Sequence, residues 1–143
     1  MALKEIPFYN LSSAVGPGCS NKRTDVMLVQ FFLHRIYSHP AKVNKPAGAK
    51  IQINGAFDGT TATWIRHFQA DIKGQGKSIL ADGRVDPVQG AQNGRSSISR
   101  TFYTLSWMNY GHWHRYRRDH NCLEENPLVP GDLKLELSQS EGV

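Results

Sequence analysis

The residues with the greatest chemical capacity lie in one short stretch, residues 110–122, with the sequence YGHWHRYRRDHNC. Zinc prefers histidine nitrogen and cysteine sulfur, and the stretch offers His112, His114, His120 and Cys122. His112 and His114 would point the same way only in an extended segment. Because the spacing matches no zinc pattern, we expect no metal site and no cofactor.

The same stretch interleaves arginines with aromatic rings, at Trp113, Arg115, Tyr116 and Arg117. Such residues can hold phosphates and stack on bases, but they are also common anchors of protein interfaces. We favour docking on a partner protein and consider nucleic-acid binding the less favoured interpretation.

No catalytic arrangement is evident elsewhere in the sequence. Residues 73–77, KGQGK, lack the spacing and the preceding strand of a phosphate-binding loop. Cys19 and Cys122 are expected to be thiols, although a disulfide between them stays open. No serine or cysteine stands in a recognisable nucleophile–base order. The sequence therefore predicts a protein that is not an enzyme.

Length and charge narrow the class further. The chain of 143 residues suits one compact domain with a net charge of +5. Residues 119–143 hold six acidic residues and one basic residue, so the first 118 residues carry a net charge of +10. A basic body favours anionic partners. No apolar run is long enough to span a bilayer, and the start lacks the layout of a secretory signal.

Three stretches with helical spacing of apolar residues must position these groups. They predict helices from Thr24 to about His39, from about Thr60 to Lys73, and from Ser96 or Ser97 to Tyr110, where Gly111 would end the third. Thr24 or Asp25 is expected to cap the first helix.

The two ends of the chain predict extended structure. Residues 1–20 are rich in Ser, Gly and Pro and indicate an extended lead-in. Near the other end, Leu133, Leu135 and Leu137 alternate with polar residues, which is typical of a half-buried strand. Such a strand must pair, either with residues 6–9 or with a neighbouring protein.

Three segments together resemble the peptidoglycan-binding-like domain, a small three-helix module often attached to cell-wall hydrolases. Residues 25–33, DVMLVQFFL, resemble its opening helix, and residues 82–87, DGRVDP, resemble the turn before its last helix. Between them, residues 54–69, NGAFDGTTATWIRHFQ, resemble its central signature. The likeness covers roughly residues 14–105.

The resemblance implies a mainly α protein with a small three-helix bundle over residues 21–111, followed by a basic-aromatic segment and acidic tail over residues 112–143. Gln30 and Gln69 are expected to hydrogen-bond loop backbone and fix the turns to the helices. The implied ligand groove lies beside the second helix and its preceding turn, which gives as candidate ligand-binding residues Asn54, Phe57, Asp58, Thr61 and Trp64.

Trp64 stands where the family commonly has a small residue. It either fills the groove by packing into the core, which we favour, or lines the groove and stacks on a sugar ring. Asn54 and Asp58 depart from the family pattern as well.

Two functions therefore stay open from the sequence. The first is a non-catalytic module that binds peptidoglycan or another cell-wall glycan of bacteria. Since no export signal is recognisable, it would be made in the cytoplasm and delivered to the periplasm or wall by a phage particle or a contractile, type VI-like secretion system. The second is a structural or adaptor subunit, docking through Trp113–Arg117 and Leu133–Leu137.

Overall fold

Most of the described chain is helical. The computed structural model describes residues 7–42, 44–88 and 102–141. In these ranges the α-helices are α1 (Arg23–Ser38), α2 (Gly59–Gly74), α3 (Thr104–Arg115), α4 (Arg117–Asn121) and α5 (Gly131–Glu141). A 3-10 turn, Leu123–Glu125, lies between α4 and α5. The prediction of a mainly helical fold is confirmed.

β-structure in the same ranges is limited to two isolated bridges. Val15 pairs with Val85 in antiparallel orientation, and Ile79 pairs with Phe102 in parallel orientation. The first bridge attaches the N-terminal segment to the turn that comes after α2. Apart from that bridge, residues 7–22 form no regular element.

The central helix is α1, which contacts α2, α3 and α5. The apolar residues at helical spacing, Val26, Val29, Leu33 and Ile36, form one stripe of α1 that is buried. Phe31, which falls outside that stripe, is buried as well because neighbouring helices cover α1 on more than one side. Each such side chain contributes about 2 kcal/mol of transfer free energy.

The expected cap of α1 is wrong. Lys22 occupies the N-cap position and makes no side-chain cap bond. Asp25 instead accepts hydrogen bonds from the backbone N–H and the hydroxyl of both Ser12 and Ser13. Its buried carboxylate therefore fixes the N-terminal segment to α1 rather than starting the helix.

The predicted second helix agrees with α2 to within one residue at each end. Asp58 is its N-cap, and its carboxylate accepts a hydrogen bond of 2.8 Å from the Thr61 N–H. The buried face of α2 includes Trp64, Ile65 and Phe68.

The third predicted helix is only partly correct. Its expected start at Ser96 or Ser97 lies outside the described residues, and α3 is seen from Thr104. Gly111 does not end it, since the helix continues to Arg115 and so crosses the expected boundary between residues 111 and 112. A Cβ at Gly111 would lie 3.2 Å from Ile36 Cδ1. Glycine here permits close packing of α3 on α1.

The C-terminal strand is the clearest error. Residues 133–137 belong to α5. Leu133 and Leu137, four residues apart, are both buried, whereas Leu135 is 61% exposed. The alternating leucines also satisfy the i, i+4 spacing of a helix face, and this second pattern decides the structure.

No helix among the described residues is both long enough and apolar enough to cross a membrane.

Candidate functional site

The turn before α2 is built around Gln30 of α1, which is 1% exposed. Its Oε1 accepts hydrogen bonds from the N–H groups of Asn54 and Gly55, at 3.0 and 2.9 Å. Its Nε2 donates to the Ala56 carbonyl and to Thr61 Oγ1, both at 3.0 Å. The expected role of Gln30 in fixing this turn is confirmed.

Three of the five candidate ligand-binding residues take part in this junction. Asn54 accepts through Oδ1 from Gln30 and from the Ala56 N–H. Asp58 accepts from the N–H and the hydroxyl of Thr61, which lower the pKa of its carboxyl group. Thr61 is fully buried and offers no surface to a ligand. Their bonds hold the turn together.

Trp64 meets both descriptions that the sequence left open. Its side chain is 6% exposed and its ring meets the Tyr37 ring edge-on, with centroids 5.7 Å apart. The residue also lines a cleft of about 440 Å³, which we call the Trp64 cleft. The other lining residues are Ala47, Gly48, Ala49, Gly59, Thr60 and Thr63.

A polar group at Trp64 is left without a partner. The indole Nε1 is buried and has no hydrogen-bond partner in the described part of the chain. A buried donor without a partner costs free energy, of the order of 1–3 kcal/mol. An acceptor that reached this nitrogen would recover part of that cost.

Of the predicted ligand residues, only Trp64 is in the cleft wall. Phe57 is half-buried and packs on the core. Sequence reasoning missed Thr60 and Thr63. Thr60 precedes Trp64 by four residues on α2 and could have been found from that helical spacing, whereas Thr63 is adjacent in sequence and has no such signal. The loop residues 47–49 carry no signal that indicates a cleft.

The residues predicted to bind a partner are largely engaged within the chain. The Arg117 guanidinium lies 4.5 Å from the Trp113 ring centroid. Tyr116 donates from its hydroxyl to the Arg35 carbonyl, and its ring lies 3.8 Å from the Arg35 guanidinium carbon. Arg115 donates to the Gly111 carbonyl. Buried Leu133 and Leu137 cannot serve as exposed anchors, which leaves Leu135.

Two histidines of the same stretch form a buried pair. His112 and His120 approach through their Nδ1 atoms at 3.0 Å, and neither is exposed. His120 Nε2 lies 2.8 Å from the Pro7 carbonyl, so it must carry a proton and donate. His120 Nδ1 is then the acceptor, and His112 Nδ1 the donor.

Arg35 completes this chain of hydrogen bonds. Its Nε donates to His112 Nε2 at 3.5 Å, and its guanidinium pairs with Asp119. Burial, helped by the charges of His120 and Arg35, lowers the pKa of His112 to about 3, and burial also lowers the pKa of His120. Both rings are therefore neutral at pH 7, and they join α3, α4 and the N-terminal segment.

The histidines do not assemble a metal centre. His114 is exposed and stacks on Tyr110, away from the buried pair. No group of three or more His, Cys, Asp or Glu residues within the described ranges could hold a metal ion.

Comparisons with known proteins found no match: no family model, no curated protein and no solved structure matches this chain.

Proposed function

We propose that the chain is a non-catalytic module of the three-helix, peptidoglycan-binding-like type that binds a cell-wall glycan in the Trp64 cleft. The observation that carries the proposal is the open cleft beside α2, which Trp64 lines together with Thr60 and Thr63. Aromatic faces can pack against the C–H groups of a sugar ring. The sequence resemblance assigns its groove to the same helix and its preceding turn.

The polar groups around the indole suit a glycan. The hydroxyls of Thr60 and Thr63 can both donate and accept hydrogen bonds, as sugar hydroxyls do. Trp64 Nε1 is a donor only, but it is buried, so the threonine hydroxyls are the polar groups that α2 offers to a sugar in this cleft. The net charge of +5 favours the anionic bacterial wall as well.

Co-sedimentation with purified peptidoglycan sacculi, at low and high salt, tests this proposal. We expect the protein to pellet under both conditions. Thr63→Trp, which fills the Trp64 cleft from an exposed position, should abolish pelleting. Ala70→Trp is the matched control, because Ala70 is exposed on α2 seven residues away and lines no described cleft. Failure of the unmodified protein to pellet, or pelleting that high salt abolishes, would contradict the proposal.

A second candidate is an adaptor that contacts another protein, and the exposed leucines favour it. Leu128 and Leu135 are 42% and 61% exposed. Leu135→Lys should then disrupt an assembly detected by analytical ultracentrifugation. A monomer at every concentration, unchanged by Leu135→Lys, would count against self-assembly through Leu135.

Within the first proposal, the route to the wall remains the one that the sequence suggested. The module would reach the periplasm or wall with a phage particle or a contractile secretion apparatus. Export that is independent of any such apparatus would contradict this route.

A further inference from the structure

A second cleft lies between α3, the C-terminal half of α2 and the end of α1. Its volume is about 200 Å³, and aliphatic and aromatic side chains of Ile36, Phe68 and Ile72 contribute to its lining. Trp107 and Tyr110 line it from α3, and Lys77 lines it from the segment after α2. We call it the Lys77 cleft. It is separate from the Trp64 cleft and shares no lining residue with it.

The two aromatic residues are held at right angles. The Trp107 and Tyr110 rings have centroids 6.3 Å apart and planes at 87°. Trp107 is fixed by a hydrogen bond of 2.8 Å from its Nε1 to the Ser78 carbonyl. Tyr110 is 48% exposed. His114, which also lines the cleft, stacks on the Tyr110 ring. A planar ring entering the cleft can therefore contact the part of Tyr110 that remains exposed and is already positioned.

The charge in this cleft is positive. Lys42, Lys77 and Arg115 line it, and no carboxylate does. Lys42 is neutralised by Asp71, whose oxygen lies 2.5 Å from the Lys42 Nζ. Neither Lys77 nor Arg115 forms an ion pair within the described ranges. The Lys77 Nζ lies over the Trp107 ring, 5.2 Å from its centroid, so an anion bound to Lys77 would lie close to the indole.

We propose that the Lys77 cleft binds a nucleoside phosphate, with the base against Tyr110 and Trp107 and the phosphate on Lys77 and Arg115. Stacking on an aromatic side chain together with cation–phosphate contact is the combination by which proteins hold single nucleotides of a strand. A neutral sugar would leave both cations unused, and inorganic phosphate would leave the rings unused.

The size of the cleft limits the ligand. At about 200 Å³ it is smaller than common small-molecule sites, which span roughly 300–1,000 Å³. It can enclose one ring and its nearest phosphate while the rest of the ligand stays in solvent. A dissociation constant between about 10 μM and 1 mM is expected for so partial an enclosure.

Titration calorimetry with adenosine monophosphate tests this inference, with adenosine and inorganic phosphate as probes of the separate parts. The nucleotide should bind at least about tenfold more tightly than either probe. Lys77→Gln and Tyr110→Ala should each weaken nucleotide binding about tenfold. Lys50→Gln, an exposed lysine that lines neither cleft, should leave it unchanged.

Three results would overturn the inference: no binding of the nucleotide, equal binding of adenosine, or binding that Lys77→Gln and Tyr110→Ala leave unaltered. A single-stranded oligonucleotide that binds with a steep salt dependence and is insensitive to both variants would indicate a nucleic-acid surface elsewhere. Circular dichroism of each variant checks that the helices persist. Lys77→Gln should leave pelleting with sacculi unchanged, because Lys77 does not line the Trp64 cleft, so the two proposals can fail separately.

Discussion

Two turns of this protein, residues 54–58 and 82–86, have the same sequence pattern and the same kind of glutamine contact, but they are joined to different helices. Both read Asx-Gly-x-apolar-Asp, and each is fixed by a buried glutamine of the preceding helix. Gln69 accepts from the Gly83 N–H at 2.8 Å and donates to the Arg84 carbonyl at 2.9 Å. Gln30 makes the equivalent bonds with Gly55 and Ala56.

The two turns differ in the helix that each one is joined to. Asp58 caps α2 at once, and Thr61 of that first turn accepts from Gln30. Asp86 pairs instead with Arg84, and the threonine that accepts from Gln69 is Thr104, at the start of α3. The same junction thus fixes either an adjacent helix or one that begins much later in the chain.

Among the substitutions that distinguish the two turns, replacing the glutamines should cause the largest loss in the free energy of unfolding. Gln30→Leu leaves the N–H groups of Asn54 and Gly55 without their acceptor, whereas Gln69→Leu deprives only that of Gly83. We expect losses of about 4 and about 3 kcal/mol in the free energy of unfolding, respectively. Urea denaturation measures both.

Gln75→Leu is the matched control, because Gln75 is exposed and its side-chain bond to Asp71 is long, at 3.4 Å. It should change stability by less than about 0.5 kcal/mol. A loss for Gln69→Leu that equals or exceeds that for Gln30→Leu would contradict the ranking.

Replacing the glycines of the two turns should give the second-largest difference in stability. Both Gly55 and Gly83 have positive φ, +79° and +77°, which costs a side chain about 1 kcal/mol. A Cβ at Gly55 would also lie 2.7 Å from Arg23 Cγ, while the nearest atom to one at Gly83 lies 3.5 Å away. Thermal denaturation should show losses of about 2–3 kcal/mol for Gly55→Ala and about 1 kcal/mol for Gly83→Ala. Equal losses would show that Arg23 moves at no cost.

Lowering the pH should destabilise the protein through the histidine pair and not through the glutamine contacts, because glutamine side chains do not titrate. The pKa of His112 is about 3 in the folded protein, against 6.5 as its ordinary value, so the unfolded chain binds more protons between these pH values. Stability is therefore lost as the pH falls below 6.5, by about 2 kcal/mol at pH 5 from His112 alone. The lowered pKa of His120 acts in the same direction.

Urea denaturation at pH 7.5 and pH 5 measures this loss. His114→Gln, which alters an exposed histidine, should retain all of it. NMR should show that the His112 ring does not titrate between pH 8 and pH 5, and titration near pH 6.5 would contradict the buried pair.

The last aspartates of the two turns, Asp58 and Asp86, should give the smallest difference in stability. Asp58→Ala removes the N-cap of α2 and should cost about 1 kcal/mol in chemical denaturation. Asp86→Ala removes a partly exposed ion pair with Arg84 and should cost less than Asp58→Ala does. A larger loss at Asp86 would mean that the second turn is as closely coupled to a helix as the first.

The same contrast explains how much of the fold could be predicted from the sequence. Local signals located α1 and α2, and the glutamine contacts could be inferred from the order of turn and helix. The hydrogen bond between Gln69 and Thr104 could not be predicted, because the sequence between them does not indicate where α3 lies relative to α2. The pairing of His112 with His120 was missed because it depends on α3 and α4 meeting at the N-terminal segment.

The errors at Leu133–Leu137 and Gly111 have a common cause. Leucines at 133 and 137 fit both a strand and a helix face, and a glycine fits both a helix end and a close helix contact. In both cases the chain is helical, and the helix packs against α1. Trp64 likewise belongs to the core and to a cleft wall together, which the sequence could offer only as alternatives.

The measurement that tests the central claim most directly is an NMR titration of the isotope-labelled protein with a soluble fragment of peptidoglycan. Glycan binding in the Trp64 cleft predicts shift changes centred on residues 47–49 and 59–64, including the Trp64 indole N–H, and their loss in Thr63→Trp. Changes confined to other surfaces, or no changes with the fold intact, would contradict it.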